Sequence, residues 1–399
     1  MCAAAAAAEA PRAPQRAWWA ELGSVVPRTV STAVRASRGG DGTGPPPLST
    51  NPLTWATLAV DELTVSAAYL LSRRSAEEVT EQAVGDAAEA VRALRASGAV
   101  DDPRKIHASP GPPTEVRVTH RRRAGIDFEH VSFVSPYQPP ADLPGAERWA
   151  SGEANRRTHA YLLRRGDQPR AWAVVLHGHR MGEPRDLRLL GSKRLQHELG
   201  VDVAHLVLPM HGPRGRGGAH PFPGVDPVAN LLGMAQAVAD ARTLLAWLRL
   251  GERLPIGVYG VSLGGHVAGL LAGLDDELAC VVAGVPTADL STMLADTMRA
   301  RWGDETLRAS HVLDPDARVL SRLVSPLAFP ALVPRDKLHI YAAIGDRLVT
   351  PQQAMMLWEH WDRPQILWLQ GGHILNNVGA SRRFVVDAMA ACGVGVRQR

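Results

Sequence analysis

One stretch of the chain, residues 255–274, limits the possible fold more than any other. It starts with a short apolar run, Ile256 to Val261, which predicts a buried strand, and an apolar, small-residue sequence that predicts a helix starts at Leu263. Only Ser262 separates the two. At so sharp a turn strand and helix pass too closely for a Cβ atom two positions before or after the serine, and both positions are glycine. The stretch therefore predicts a strand, a strained serine and a helix in direct succession.

The five residues Gly260 to Gly264 have the G-x-S-x-G pattern of a nucleophile elbow. On such a turn the serine hydroxyl projects from the tip, and the unpaired first N–H groups of the helix face an oxyanion forming beside it. An ordinary tight turn is the alternative, since the chain has 37 glycines. The pattern predicts that Ser262 is a nucleophile and that Leu263 donates its backbone N–H to the oxyanion.

Length and composition limit the classes of protein to consider. With 399 residues, of which 45% are hydrophobic, the chain can form one large α/β domain with extensions, or two domains. The net charge is +4, and its densest run, Arg121 to Arg123, is explained by a solvated strand edge. No basic stripe with interleaved aromatic residues is present, so we do not expect a nucleic-acid partner. No apolar stretch is long enough to predict a membrane span.

The cysteines predict neither a disulfide framework nor a metal site. Cys2, Cys280 and Cys392 lie far apart in the sequence and have no metal-binding or redox spacing. Such usage is typical of a reducing compartment, and the first residues lack the basic segment of a secretory signal. We therefore expect a cytoplasmic protein without a metal or another cofactor.

The chain divides into three parts by composition. Residues 1–50 are rich in Ala, Pro, Arg, Ser and Gly, and we expect most of them to be mobile. Residues 51–114 predict a helical extension, in two segments over 52–98, followed by a Pro-rich linker. Residues 115–399 predict an α/β domain.

Within the α/β domain, alternating patterns around 116–163 predict antiparallel strands, and the continuous apolar run 171–176 predicts a central strand covered on both faces. Helices and strands then alternate to the end, which predicts a mostly parallel sheet flanked by helices. One helix is expected over 184–199. Residues 286–335 interrupt the alternation and predict a cap-like insertion over the carboxyl ends of the strands. Three of its apolar residues are candidates for a substrate pocket, or alternatively for simple core: Met293, Met298 and Trp302.

The segment His177-Gly178-His179 follows the central strand directly. A sharp turn there can aim the backbone N–H of His179 at the same oxyanion. With His211, the two imidazoles could instead bind zinc, but no cysteine or carboxylate accompanies them in a ligand spacing. We therefore expect turn and core packing for His177 and a backbone role for His179.

Two further strands end in polar residues that complete a catalytic set. Residues 338–346 predict a strand that ends in Gly345-Asp346, and a carboxylate at such a tip can orient an imidazole. Asp314 and Asp316 are alternatives, but no strand precedes them. His373 lies on a Gly-Gly loop after the next predicted strand. The order Ser262, Asp346, His373 is a known triad order.

These motifs resemble the α/β-hydrolase superfamily over about residues 115–395. The residues after the aspartate and the serine, Val349-Thr350-Pro351 and Gly264-Gly265, are similar to the dienelactone-hydrolase, acetyl-esterase and prolyl-oligopeptidase-like branch. The resemblance implies a Ser-Asp-His triad at the strand tips and a substrate pocket under the insertion. Residues 52–98 match no pattern of that family, and the loop 209–216 departs from its usual turn.

The function expected from these residues is hydrolysis of a carboxylic ester of small size through an acyl-enzyme intermediate. A peptidase or amidase on the same scaffold stays open, because nothing separates an ester from an amide leaving group. A hydrolase-fold binding protein without turnover and a non-hydrolytic enzyme, such as a haloperoxidase or lyase, are further alternatives. The physiological substrate and the oligomeric state are left open.

Overall fold

A computed structural model describes residues 23–38, 44–71, 81–107, 109–123, 125–166, 168, 170–216, 222–375 and 378–397. Its centre is a nine-stranded sheet in the order β1-β2-β3-β5-β4-β6-β7-β8-β9. The strands are β1 (Arg117–Arg123), β2 (Ile126–Val134), β3 (Arg157–Leu163), β4 (Trp172–Leu176), β5 (Asp202–Val207), β6 (Ile256–Val261), β7 (Cys280–Gly284), β8 (Leu338–Ala343) and β9 (Gln365–Leu369). The first three strands and β5 pair antiparallel, and β5, β4 and β6 to β9 pair parallel. The expectation of a mostly parallel sheet is confirmed.

Helices cover both faces of the sheet. They are α1 (Val25–Ser37), α2 (Pro52–Leu71), α3 (Glu81–Ala96), α4 (Ala146–Ala150), α5 (Asp186–Leu189), α6 (Ser192–Leu199), α7 (Pro227–Leu248), α8 (Leu263–Ala272), α9 (Leu290–Ala309), α10 (Pro315–Leu323), α11 (Pro351–His360) and α12 (Val378–Ala391). Successive side chains of β4 alternate between two cores. Val174 packs with α7 and α8, and Val175 packs with α6 and α12.

The order of the strands reverses at β4, which lies between β5 and β6. The chain thus continues from β4 to β5, its neighbour on one side, and later returns to β6, its neighbour on the other side. The connections after β4 and β6 separate at their carboxyl ends, which opens a crevice where ligands bind in α/β sheets. Ser262 and the segment after His177 lie at this point.

The prediction of one continuous helix over 184–199 is wrong. Two helices occupy the segment, α5 and α6, because Gly191 between them has a φ of +70°. That backbone conformation stops a right-handed helix, and glycine adopts it at little cost.

The structure describes part of residues 1–50, and the prediction that most of this segment is mobile stays a prediction. The part before Gly23 lies outside the described residues, but Val25–Ser37 form α1 and residues 44–50 are described. Ala33, Leu48 and Leu58 pack with Ile344 in a small apolar cluster. The apolar face of this helix is buried because α2 and the segment after β8 provide a surface for it.

The insertion after β7 consists mainly of α9, which is kinked at Gly303 (φ 85°), and α10. The exposed arginines of β1 lie on an edge strand of the sheet, as predicted. In the described part of the chain, no helix combines the length and the apolar composition that crossing a membrane requires.

Candidate active site

Ser262 occupies the turn between β6 and α8 in a strained conformation, with φ 56° and ψ −113°. The surrounding glycines are required by close backbone contacts. A Cβ atom on Gly260 would lie 2.0 Å from the carbonyl oxygen of Gly264, and one on Gly264 would lie 2.1 Å from that of Leu176. Ser262 is 9% exposed, so its hydroxyl lies in a largely desolvated position.

Two loops at the carboxyl ends of neighbouring strands carry the carboxylate and the imidazole. The acid loop, residues 344–350, follows β8, and the histidine loop, residues 370–375, follows β9. Backbone hydrogen bonds extend the pairing of the two strands into these loops, from Ile344 N to the Leu369 oxygen and from Gly345 N to the Gly371 oxygen, each at 2.9 Å. The parallel pairing thereby keeps Asp346 beside His373.

The three side chains form one hydrogen-bonded line. His373 Nε2 lies 3.1 Å from Ser262 Oγ, and His373 Nδ1 lies 2.7 Å from Asp346 Oδ2. The other oxygen of Asp346 accepts hydrogen bonds from the backbone N–H groups of Leu348 and Val349, both at 2.9 Å. These bonds fix the rotation of the carboxylate, so that Oδ2 faces the imidazole.

Burial and neighbouring charges shift the pKa values of both groups. Burial raises the pKa of Asp346 above its ordinary value, and contact with His373 opposes that rise. Burial lowers the pKa of His373, but the charge and hydrogen bond of Asp346, together with the charge of Asp61, raise it above 6.5 overall. The site therefore favours an imidazole that accepts a proton readily and is stabilised when it carries one.

The two backbone N–H groups expected to face an oxyanion lie on either side of the crevice. Leu263 is the first residue of α8, and His179 follows β4. Neither of the two backbone N–H groups donates to an acceptor among the described residues. Gly178, which directly precedes His179, lies close to the serine: a Cβ atom added to it would be 3.6 Å from the Cβ atom of Ser262.

The histidines after β4 and β5 have structural partners. His177 Nε2 accepts a hydrogen bond from Leu208 N at 3.0 Å, and its Nδ1 donates to the Gly178 oxygen at 2.8 Å. His211 Nδ1 donates to the Pro209 oxygen at 2.7 Å. Because both nitrogens of His177 are used, this ring cannot serve as a metal ligand in the arrangement seen.

A group of possible metal ligands occurs elsewhere and was missed from the sequence. Cys280, His339 and Cys392 place one ligand atom each within 4.8 Å of one another. The prediction that the cysteines show no metal or redox arrangement used their spacing along the chain, but the start of β7, the start of β8 and the end of α12 bring them together. This cluster lies at the amino ends of the strands, opposite Ser262, so it takes no part in the candidate active site.

Asp61 is the site residue that the sequence analysis missed entirely. It lies on α2, is 6% exposed, and accepts hydrogen bonds from the backbone N–H groups of His373, Ile374 and Leu375. No local motif marks it, because an aspartate within a helical pattern is usually a solvated one.

The candidate pocket residues of the insertion lie on α9. Met298 is buried with Ala295, Leu307 and Val312, and Met293 packs against the main core. The side chain of Trp302 lies outside the described residues. A pocket role for these residues stays a prediction.

Comparison with known proteins identifies relatives in one organism. The chain is 41% identical over 304 residues to uncharacterized protein MT2702 of Mycobacterium tuberculosis strain CDC 1551, which covers 74% of this chain and 72% of that protein. It is 42% identical over 302 residues to uncharacterized protein Rv2627c of strain H37Rv, with the same coverage. No protein-family model matches the chain.

Solved structures show the same fold at low sequence identity. An acetyl xylan esterase from Paenibacillus sp. R4 has a TM-score of 0.50 at 16% identity, covering 73% of this chain and 92% of that one. Acetyl xylan esterase 1 from Thermoanaerobacterium sp. JW/SL YS485 has a TM-score of 0.50 at 13% identity, covering 73% and 93%. The chain therefore belongs to one family with the two mycobacterial proteins, and its fold is the α/β-hydrolase fold.

Proposed function

We propose that the protein is a serine-dependent hydrolase that cleaves a carboxylic ester of small size. The observation that carries the proposal is the hydrogen-bonded line from Asp346 through His373 to Ser262, with the serine held in a strained turn. A serine alcohol is a weak nucleophile unless an adjacent base accepts its proton, and this line supplies the base and the group that orients it.

In the proposed reaction, Ser262 Oγ attacks the ester carbonyl carbon while His373 Nε2 accepts the hydroxyl proton. Asp346 keeps the proton of Nδ1 in place and stabilises the imidazolium. The backbone N–H groups of Leu263 and His179 donate to the oxyanion. His373 then gives its proton to the leaving alcohol, and a water molecule activated by the same imidazole releases the acid.

The choice of an ester is supported by two solved neighbours with a TM-score of 0.50, each an acetyl xylan esterase. A peptide or amide substrate would use the same residues, and testing esters together with small amides separates the two. A binding protein without turnover is disfavoured, because none of the three side chains of the proposed triad is missing.

The test is hydrolysis of short-chain p-nitrophenyl esters by the wild type, by Ser262→Ala and by the control Ser151→Ala, whose serine is exposed. We expect Ser262→Ala to lose at least about 1,000-fold in kcat while it keeps the melting temperature of the folded domain. The control should keep full activity. A fluorophosphonate probe should label Ser262 alone. Full activity of Ser262→Ala, or labelling spread over several serines, would refute the proposal.

A further inference from the structure

Helix α2 holds the histidine loop by way of Asp61. The carboxylate accepts three backbone hydrogen bonds, with Oδ2 2.9 Å from His373 N and Oδ1 2.6 Å and 3.1 Å from the N–H groups of Ile374 and Leu375. These amides belong to a loop after β9, outside any helix or strand. Each of these partly buried backbone N–H groups has an acceptor, and one carboxylate from a distant helix provides all three.

The contact between α2 and the two loops leaves no spare space. A Cβ atom on Gly372 would lie 2.4 Å from Asp61 Oδ2 and 2.7 Å from its Cγ. A Cβ atom on Gly345, directly before Asp346, would lie 2.4 Å from Leu58 Cδ2. Both loops of the proposed triad therefore pack against the same helix, each through a glycine.

Glu62, the next residue on α2, stabilises the helix in this position through ion pairs. The carboxylate of Glu62 pairs with Arg28 of α1 at 3.0 Å, with Arg301 of α9 at 3.5 Å and with Arg347 of the acid loop at 3.0 Å. The Glu62 side chain is 4% exposed, so solvent screens these pairs less than surface pairs. The cluster joins the N-terminal helices, the insertion and the acid loop at one point beside Asp61.

We propose that Asp61 is a positioning residue of the active site, holding the histidine loop so that the imidazole of His373 reaches both Ser262 and Asp346. This inference rests on the proposed function for its catalytic meaning. It also gives the N-terminal helical segment a role, because the observed acceptor of these three amides lies on α2, outside the α/β domain. The negative charge of Asp61 has a second effect. Burial lowers the pKa of His373 and Asp346 raises it, and Asp61 adds to that rise.

The kinetic test compares Asp61→Asn, Asp61→Ala and the control Asp127→Asn. The Asp127 side chain is 74% exposed on β2, next to the edge strand that lies farthest from β9. Asparagine keeps one oxygen acceptor and removes the charge, whereas alanine removes all three hydrogen bonds. We expect Asp61→Ala to lose about 100-fold in kcat with little change in KM, since small displacements of reacting groups have effects of this size. Asp61→Asn should lose less, and the control should match the wild type.

The charge effect gives a readout that a purely structural role would not change. In Asp61→Asn, the acid limb of the pH profile should move to lower pH, and NMR titration of the His373 imidazole should show a pKa lower than in the wild type. The NMR measurement needs no substrate. If the pKa falls as expected but the wild type hydrolyses no ester, the proposed function fails and the contact of Asp61 with the histidine loop stands.

Gly372→Ala tests the same contact from the loop side. Its Cβ atom would displace the Asp61 carboxylate, so the variant should lose activity, and combination with Asp61→Ala should cost less than the product of the two single losses. The proposal is overturned if both Asp61 variants keep kcat within about two-fold of the wild type. It is equally overturned if activity falls while the acid limb and the imidazole pKa stay unchanged in Asp61→Asn.

Discussion

Replacing Gly264 by alanine should destabilise the turn that holds Ser262. The new Cβ atom would lie 2.1 Å from the carbonyl oxygen of Leu176, 2.4 Å from its carbonyl carbon and 2.7 Å from the oxygen of His177. All three are backbone atoms of β4 and its end, so no side chain can rotate away. Helix α8 must move by about 1 Å to restore ordinary contacts. Overpacking lowers the free energy of unfolding by about 1–3 kcal/mol. Because the contacts here are with rigid backbone, we expect a loss of about 3 kcal/mol for this variant.

The matched control is Gly85→Ala, at the fifth residue of α3, where a Cβ atom meets nothing within 4 Å. It should gain up to about 1 kcal/mol, since alanine favours a helix more than glycine does. With an unfolding entropy of about 2 cal/mol/K per residue, ~3 kcal/mol corresponds to a melting temperature lower by about 4 °C for a chain of 399 residues. Differential scanning calorimetry measures both variants.

The same substitution should reduce ester hydrolysis by at least about 10-fold at temperatures where the variant is folded, because the segment from Leu176 to His179 carries a proposed oxyanion donor. Our account of the turn would be wrong if Gly264→Ala matched the wild type in both melting temperature and hydrolysis rate. Equal destabilisation of Gly85→Ala would also contradict it, since that position is open.

Two further predictions concern titration and a buried ion pair. The pKa of His373 is raised above 6.5, and only the neutral imidazole accepts a proton. We therefore expect kcat/KM for an ester to increase with pH, with a midpoint above pH 6.5. A flat profile between about pH 5 and about pH 8 would contradict this. Arg214 Nη1 and Asp240 Oδ2 are 2.8 Å apart and both side chains are fully buried. Arg214→Met should cost about 3–5 kcal/mol in urea unfolding, and adding Asp240→Leu should recover most of it; a double variant as unstable as the single one would refute the argument.

The parts of the fold that were predicted well depend on short stretches of sequence. The run 255–274 predicts the strand, the turn and the helix around Ser262, because close backbone contacts exclude every residue except glycine at positions 260 and 264. The continuous apolar run 171–176 predicts β4, because a strand covered on both faces has no polar alternation. Gly345-Asp346 and Gly371-Gly372-His373 mark the ends of β8 and β9 in the same local way.

Contacts between distant parts of the chain were not predicted. Asp61 precedes His373 by more than 300 residues, and their backbone contact exists only because α2 crosses the ends of β8 and β9. Cys280 and Cys392 likewise meet because α12 returns to the start of β7. Neither pair has a spacing that a sequence pattern could detect, since each depends on how whole elements pack.

Local sterics and the period of apolar residues act within a few positions. They were enough to predict the strand-turn-helix around Ser262, a mostly parallel sheet and the polar residues that follow its strands. The tertiary structure brings the tips of β6, β8 and β9 together, so that Ser262, Asp346 and His373 lie within hydrogen-bonding distance. The family resemblance implies this arrangement, but no local sequence pattern determines it. The tertiary structure also decided that a helix from the first quarter of the chain holds the histidine loop. Such contacts follow from the burial of element faces against each other, which depends on the whole chain at once.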